Sequence, residues 1–128
     1  MNRIVILGTG HATVTRCYNT CFVLQTDTTT LLVDAGGGNG ILQRLKQAGI
    51  AIKDLHHMYV THAHTDHILG TIWVIRMVLS AAGYEGRFHV YSHAKVLRVI
   101  SMICGETLSA KHRRLMGERV VMHEVGDG

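Results

Sequence analysis

Three histidines and one aspartate fall within six residues, His62-Ala63-His64-Thr65-Asp66-His67, inside the stretch Val60 to Gly70. Imidazole nitrogens and carboxylate oxygens are the donors that zinc and similar borderline metals take. His62 and His64 stand two apart, so in an extended segment their side chains share one side and can grip one ion. Asp66 and His67 come after the chain has turned and suit a second ion beside the first. Two ions roughly 3.5 to 4 Å apart are the usual arrangement for metal-assisted hydrolysis of phosphate esters. Asp66 alone would pass as a helix N-cap, and any one of the histidines as a satisfied surface or core group. The four together at this register are hard to explain structurally. A metalloprotease helix is excluded, because it needs two histidines at i and i+4 with a glutamate on the same face.

The elements around the cluster are built to hold it. His57 to Thr61 reads as a short strand and Ile68 to Ala82 as a helix, so the cluster lies on a loop fixed by rigid neighbours. Upstream, Arg3 to Gly8 reads as a strand ending in Gly8-Thr9-Gly10. A lone GxG without a third glycine or a following helix is no dinucleotide site. Cys21 to Thr26 and Thr29 to Asp34 read as a hairpin turning at Asp27-Thr28. Asp34 then ends its strand at the edge where the cluster lies, as a turn or cap residue or as a support for the loop. Gly36 to Gly40 reads as a turn, with backbone amides that could also cradle an anion. A helix from Asn39 to Ala48 follows, with Ile41, Leu42, Leu45 and Ala48 on one face and Gly49 as its stop.

Downstream, Arg87 to Tyr91 reads as a strand, Ser92 as the N-cap of a helix from His93 to Cys104, and Arg119 to Val125 as a last strand. Trp73 and the methionines of the long helix read as core. Lys111-His112-Arg113-Arg114 reads as a solvated basic face rather than a phosphate-backbone contact. His56, His57, His89, His93, His112 and His123 read as structural or surface groups, and so does His11, although its loop should open toward the site.

The pattern HxHxDH, with Thr61 before it and Gly70 after, resembles the signature of the metallo-β-lactamase-fold hydrolases. RIVILGTG at 3–10, Arg16, Asn19 and LLVDAG at 31–36 resemble the opening of the ribonuclease Z branch in order and spacing. The resemblance implies an α/β (α+β) fold: half of an αββα sandwich, a mixed β-sheet with helices packed on one face, as one unit over residues 1–128. It implies two zinc ions in the complete enzyme, with manganese or iron as alternatives, held by His62, His64, Asp66 and His67. It further implies that Asp66 acts on the attacking water and that Asp34 supports the metal loop by hydrogen bonds. The expected activity is phosphodiester cleavage in RNA, such as trimming precursor tRNA 3′ ends, with another ester or lactone hydrolase of this fold as the alternative. A half-domain that binds only metal or a partner chain is a second alternative. Because the family's remaining ligands would lie beyond Gly128, the chain is expected to be an N-terminal half that completes its apolar faces by pairing, as a homodimer. The stretch Gly37-Gly38-Asn39-Gly40 and the Thr-Ile-Trp run after Gly70 depart from the ribonuclease Z pattern.

Composition sets the outer bounds. At 128 residues, 47% hydrophobic and 17% charged, the chain suits one modest domain rather than a disordered segment. A formal charge of +4, with the basic residues scattered, permits a phosphate substrate without demanding one. The segment after the cluster is too short to span a membrane and carries Arg76 in its middle. No secretory signal is visible at the N-terminus. Three cysteines without zinc-finger spacing read as reduced thiols in a cytoplasmic protein, Cys17 and Cys21 serving packing rather than chemistry.

Overall fold

Strand alternation in the sequence becomes two unlike sheet faces. The computed structural model describes residues 2–10, 20–62 and 65–126, the side chains of 65–67 excepted. Six strands, β1 (Arg3–Gly8), β2 (Cys21–Gln25), β3 (Thr30–Val33), β4 (His57–Tyr59), β5 (Phe88–Ser92) and β6 (Val120–Glu124), lie side by side in chain order. The first two pairings are antiparallel and the last three parallel, so the sheet is mixed. Parallel neighbours need crossovers, and these are the helices α1 (Gly40–Gln47), α2 (Thr65–Ser80) and α3 (Ala94–Thr107), with a short α4 (Ala110–Leu115) before the last strand.

The register lines up Val5, Val23, Leu32, Met58, Val90 and Met122 as one row across all six strands. This row faces the helices and forms the floor of the core. Onto it pack Ile41 and Leu45 of α1, Val74, Ile75 and Val78 of α2, and Val96 and Ile100 of α3. The opposite face shows two further rows, Ile4-Leu24-Leu31-His57-His89-Val121 and Ile6-Phe22-Val33-Tyr59-Tyr91-His123. Among the described residues no helix covers it, and Ile4 and Ile6 are 64% and 59% exposed. The architecture is the α/β half-sandwich that the resemblance implies, its helices on one face.

Several boundaries differ from the sequence reading for identifiable reasons. α2 begins at Thr65, three residues earlier than Ile68, with Asp66 and His67 in its first turn. Ser92 is not a helix N-cap but the last residue of β5, where its hydroxyl donates to the Val60 carbonyl at 2.6 Å. His93 takes the cap position without a side-chain cap bond. The basic cluster is itself helical, as α4, capped by Ser109 whose hydroxyl accepts from the His112 amide. Its Arg113 donates to the Gly105 and Leu108 carbonyls at the end of α3, so that arginine closes a helix rather than simply facing water. Nor does α2 bury everything apolar. Trp73 is half-buried under the Arg76 guanidinium and lines a cavity of about 270 Å³ with Leu69, Ile72 and Ile103, while Met77 is 37% exposed. No helix among the described residues is long and apolar enough to cross a membrane.

Candidate metal centre

Asp34 follows β3 in a left-handed backbone conformation, φ 57°, and is buried to 5% exposure. Aspartate is one of the few side chains that tolerates this region. The bend turns its carboxylate onto the start of the histidine loop. Oδ1 accepts the Thr61 amide at 2.8 Å and Oδ2 accepts the Thr61 hydroxyl at 2.7 Å. The hydroxyl has spent its one proton on Asp34, so at its 2.8 Å contact with His62 Nδ1 it must be the acceptor and Nδ1–H the donor. A chain of hydrogen bonds thus runs from a buried carboxylate through Thr61 to the first histidine, and it sets that histidine's tautomer. Histidines that ligate metals are oriented by such a bond on the nitrogen away from the metal.

The other end of the loop is anchored on the two residues that follow Asp34, Ala35 and Gly36. The Gly70 amide in α2 donates to the Gly36 carbonyl at 2.8 Å. A Cβ on Gly70 would fall 1.9 Å from the Ala35 carbonyl oxygen and 2.8 Å from that of Gly36. Only glycine lets the helix come this close. Asp34-Ala35-Gly36 therefore clamps the segment from Thr61 to Gly70 at both ends. Ser92 adds a third tie by fixing the Val60 carbonyl to β5.

Of the residues named from the sequence, the structure brings Asp34 and His62 together through Thr61. Asp66 and His67 are placed by backbone in the first turn of α2. His64 lies outside the described residues, as do His11, Arg16, Cys17 and Asn19. Among the described residues no group of three or more metal-ligating side chains converges. The donor chemistry fits zinc: imidazoles and a carboxylate in one short stretch, the first imidazole held in a defined tautomer. Sequence reasoning singled out Asp34 but missed that Thr61 is the relay, although a hydroxyl residue immediately before the first histidine was the available signal.

Burial also settles the thiols. Cys21 and Cys104 are buried, and desolvation pushes their pKa values up to about 12 and about 11, with the Asp34 charge adding to the effect on Cys21. They are packing residues, as expected for Cys21.

Comparison with known proteins now adds to this geometry. The family model described as Anti-Pycsar protein Apyc1 matches residues 2–114. The chain belongs to this family. Its relatives include the ribonuclease Z of Streptomyces avermitilis, 37% identical over 79 residues, covering 61% of this chain and 26% of that protein. The ribonuclease Z of Aeropyrum pernix is 31% identical over 114 residues, covering 88% of this chain and 34% of that protein. The chain thus spans about a quarter to a third of these curated relatives. Among solved structures, the human short-form tRNase Z superposes with a TM-score of 0.76 at 19% identity, covering 97% of this chain and 44% of that one. A diphosphatase of the PhnP family gives 0.73 at 19% identity, covering 98% and 51%. The Apyc1-family chain is therefore a ribonuclease Z-like member of the metallo-β-lactamase fold, as its motif and opening strands imply.

Proposed function

We propose that this chain is the metal-binding half of a zinc-dependent hydrolase that cleaves phosphodiester bonds, a ribonuclease Z-like endoribonuclease acting on tRNA 3′ ends in the cytoplasm. The observation that carries the reading is the Asp34–Thr61–His62 chain of hydrogen bonds at the HxHxDH loop. With Nδ1 bound to Thr61, His62 offers Nε2 as its ligand atom. His64 is the second ligand of the same ion, and Asp66 and His67 serve the other. Zinc held there supplies Lewis acidity, which brings the pKa of water toward 7 and offsets negative charge developing on the phosphoryl oxygens. Asp66 accepts the proton of the attacking water and orients it toward phosphorus. Asp34 keeps His62 in one tautomer throughout, and the clamp on Gly70 holds the first turn of α2, with Asp66 and His67, in place. Residues that complete both ligand sets come from a second copy of the chain or from further polypeptide.

A second reading, a phosphodiesterase of the same fold with another substrate, is favoured by the family match itself, which is to Apyc1 proteins rather than to ribonuclease Z. Zinc content measured by elemental analysis, beside a His64→Ala variant, tests the metal reading. Zinc should accompany the protein and be lost in the variant; equal zinc in both would overturn the site. Precursor tRNA and bis(p-nitrophenyl) phosphate then separate the substrates: cleavage of the small diester with intact tRNA selects the second reading. Size-exclusion chromatography tests pairing, and a monomer at all concentrations would refute it.

A further inference from the structure

α2 is apolar on both sides. Val74, Ile75 and Val78 are fully buried against the sheet, while Leu69, Trp73 and Met77, at i, i+4 and i+8, form a row on the other side, Leu69 and Met77 each 37% exposed. Beside this row lies the cavity of about 270 Å³, walled by Leu69, Ile72 and Trp73 of α2 and by Ile103 and Leu108 at the end of α3. It belongs to the helix layer, so a second sheet stacked on the bare sheet face leaves it uncovered. Arg76 also lines it, exposed, with its guanidinium carbon 5.3 Å from the centroid of the Trp73 ring. Among the described residues no carboxylate pairs with this guanidinium.

We infer that the cavity binds a small aromatic carboxylate, its ring among Leu69, Ile72 and Trp73 and its carboxylate on Arg76. The apolar walls call for an apolar body, and the one cation, without a counter-ion, calls for an anionic end. A guanidinium takes a carboxylate through two parallel hydrogen bonds, and the indole beneath already holds it in place, so little order has to be created on binding. A flat ring gains edge or offset contacts with the indole that an acyl chain does not. Drug-sized ligands occupy roughly 300 to 1,000 Å³, so a cavity of about 270 Å³ suits one or two fused rings. Its position gives occupancy a consequence. Gly37 and Leu69, which both line it, flank the bond from the Gly70 amide to the Gly36 carbonyl. A ligand resting on both walls holds that part of the clamp closed.

Trp73 is the single tryptophan of the chain, so its indole N–H resonance in NMR spectra reports this cavity directly. Naphthoate should shift that resonance with a Kd of about 1 mM or tighter. Naphthamide, the same body without the charge, should bind about tenfold more weakly or worse. Arg76→Gln, a change at an exposed position, should bring naphthoate down to the level of the amide. At saturation the Gly70 amide should exchange more slowly with solvent. No indole shift up to about 10 mM naphthoate, equal affinity for the amide, or undiminished binding in Arg76→Gln would each overturn the site. An indole shift that follows protein concentration without naphthoate would assign the cavity to a second copy of the chain and overturn it too. Unchanged Gly70 exchange at saturation would overturn the link to the clamp.

Discussion

Gly70→Ala puts the clamp on the histidine loop to a quantitative test. The added methyl would sit 1.9 Å from the Ala35 carbonyl oxygen and 2.5 Å from its carbon, both backbone atoms that no rotamer change can move. The helix must back away, and the 2.8 Å bond from the Gly70 amide to Gly36 goes with it. Overpacking of this kind costs about 3 kcal/mol at its usual upper end, and the lost buried hydrogen bond about 1 more. Alanine's better helix propensity returns about 1 kcal/mol. The balance is a loss of about 3 kcal/mol, or a melting temperature lower by about 10 °C for a domain of this size. Gly105→Ala in α3 is the control, because a Cβ there meets nothing within 4 Å. Propensity alone should make it more stable, by about 1 kcal/mol. Urea unfolding followed by circular dichroism reads both. Gly70→Ala within about 0.5 kcal/mol of the parent would refute the close-approach reasoning.

Other perturbations have equally definite outcomes. Asp34→Asn keeps a side chain suited to φ 57° and an acceptor for the Thr61 amide, but it cannot take the Thr61 hydroxyl proton. Stability should change by about 1 kcal/mol or less while zinc affinity falls about 10- to 100-fold by competition titration; Asp34→Ala should cost about 3 kcal/mol in urea unfolding. Burial, and then repulsion from neighbouring histidines, lowers the pKa values of His57 and His89, so the unfolded chain binds more protons than the native one in mildly acidic solution. Stability is then fully present above the ordinary histidine value near 6.5 and declines as pH falls from there toward the depressed native values. The decline is modest because both rings are half-exposed, and His57→Gln/His89→Gln should flatten it in urea midpoints taken at several pH values. Cys21 and Cys104 should not react with Ellman's reagent at pH 8 until urea unfolds the protein, since their pKa values lie near 12 and 11.

The metal motif was legible because it is local: four candidate ligands in six residues need no knowledge of the fold. The order of strands and helices was legible for a related reason, since apolar periodicity and turn residues act over short distances. What escaped depended on partners far away in sequence. Thr61 becomes a relay only when Asp34, 27 residues earlier, bends back onto it. Ser92 has the look of a cap until the Val60 carbonyl, 32 residues away, claims its hydroxyl. The Arg119 guanidinium, at the supposed start of the last strand, instead donates to the Val78 and Leu79 carbonyls at the end of α2. The outward rows of β4 to β6 gave no sequence signal either, because His57, His89 and His123 meet only through the register of three strands.

Because the strands lie side by side in the order they are made, each new strand finds its template already laid down. The sheet can be assembled during synthesis by accretion at one edge, without waiting for a distant segment to be inserted between earlier ones. Each strand can therefore dock on a neighbour made before it as the chain emerges. It also has a consequence for damage: a chain clipped just before β6 forfeits the outermost ladder, β5 with β6, and the Arg119 bonds to the end of α2, and leaves the clamp between Asp34 and Thr61 supported by strands that were complete before it.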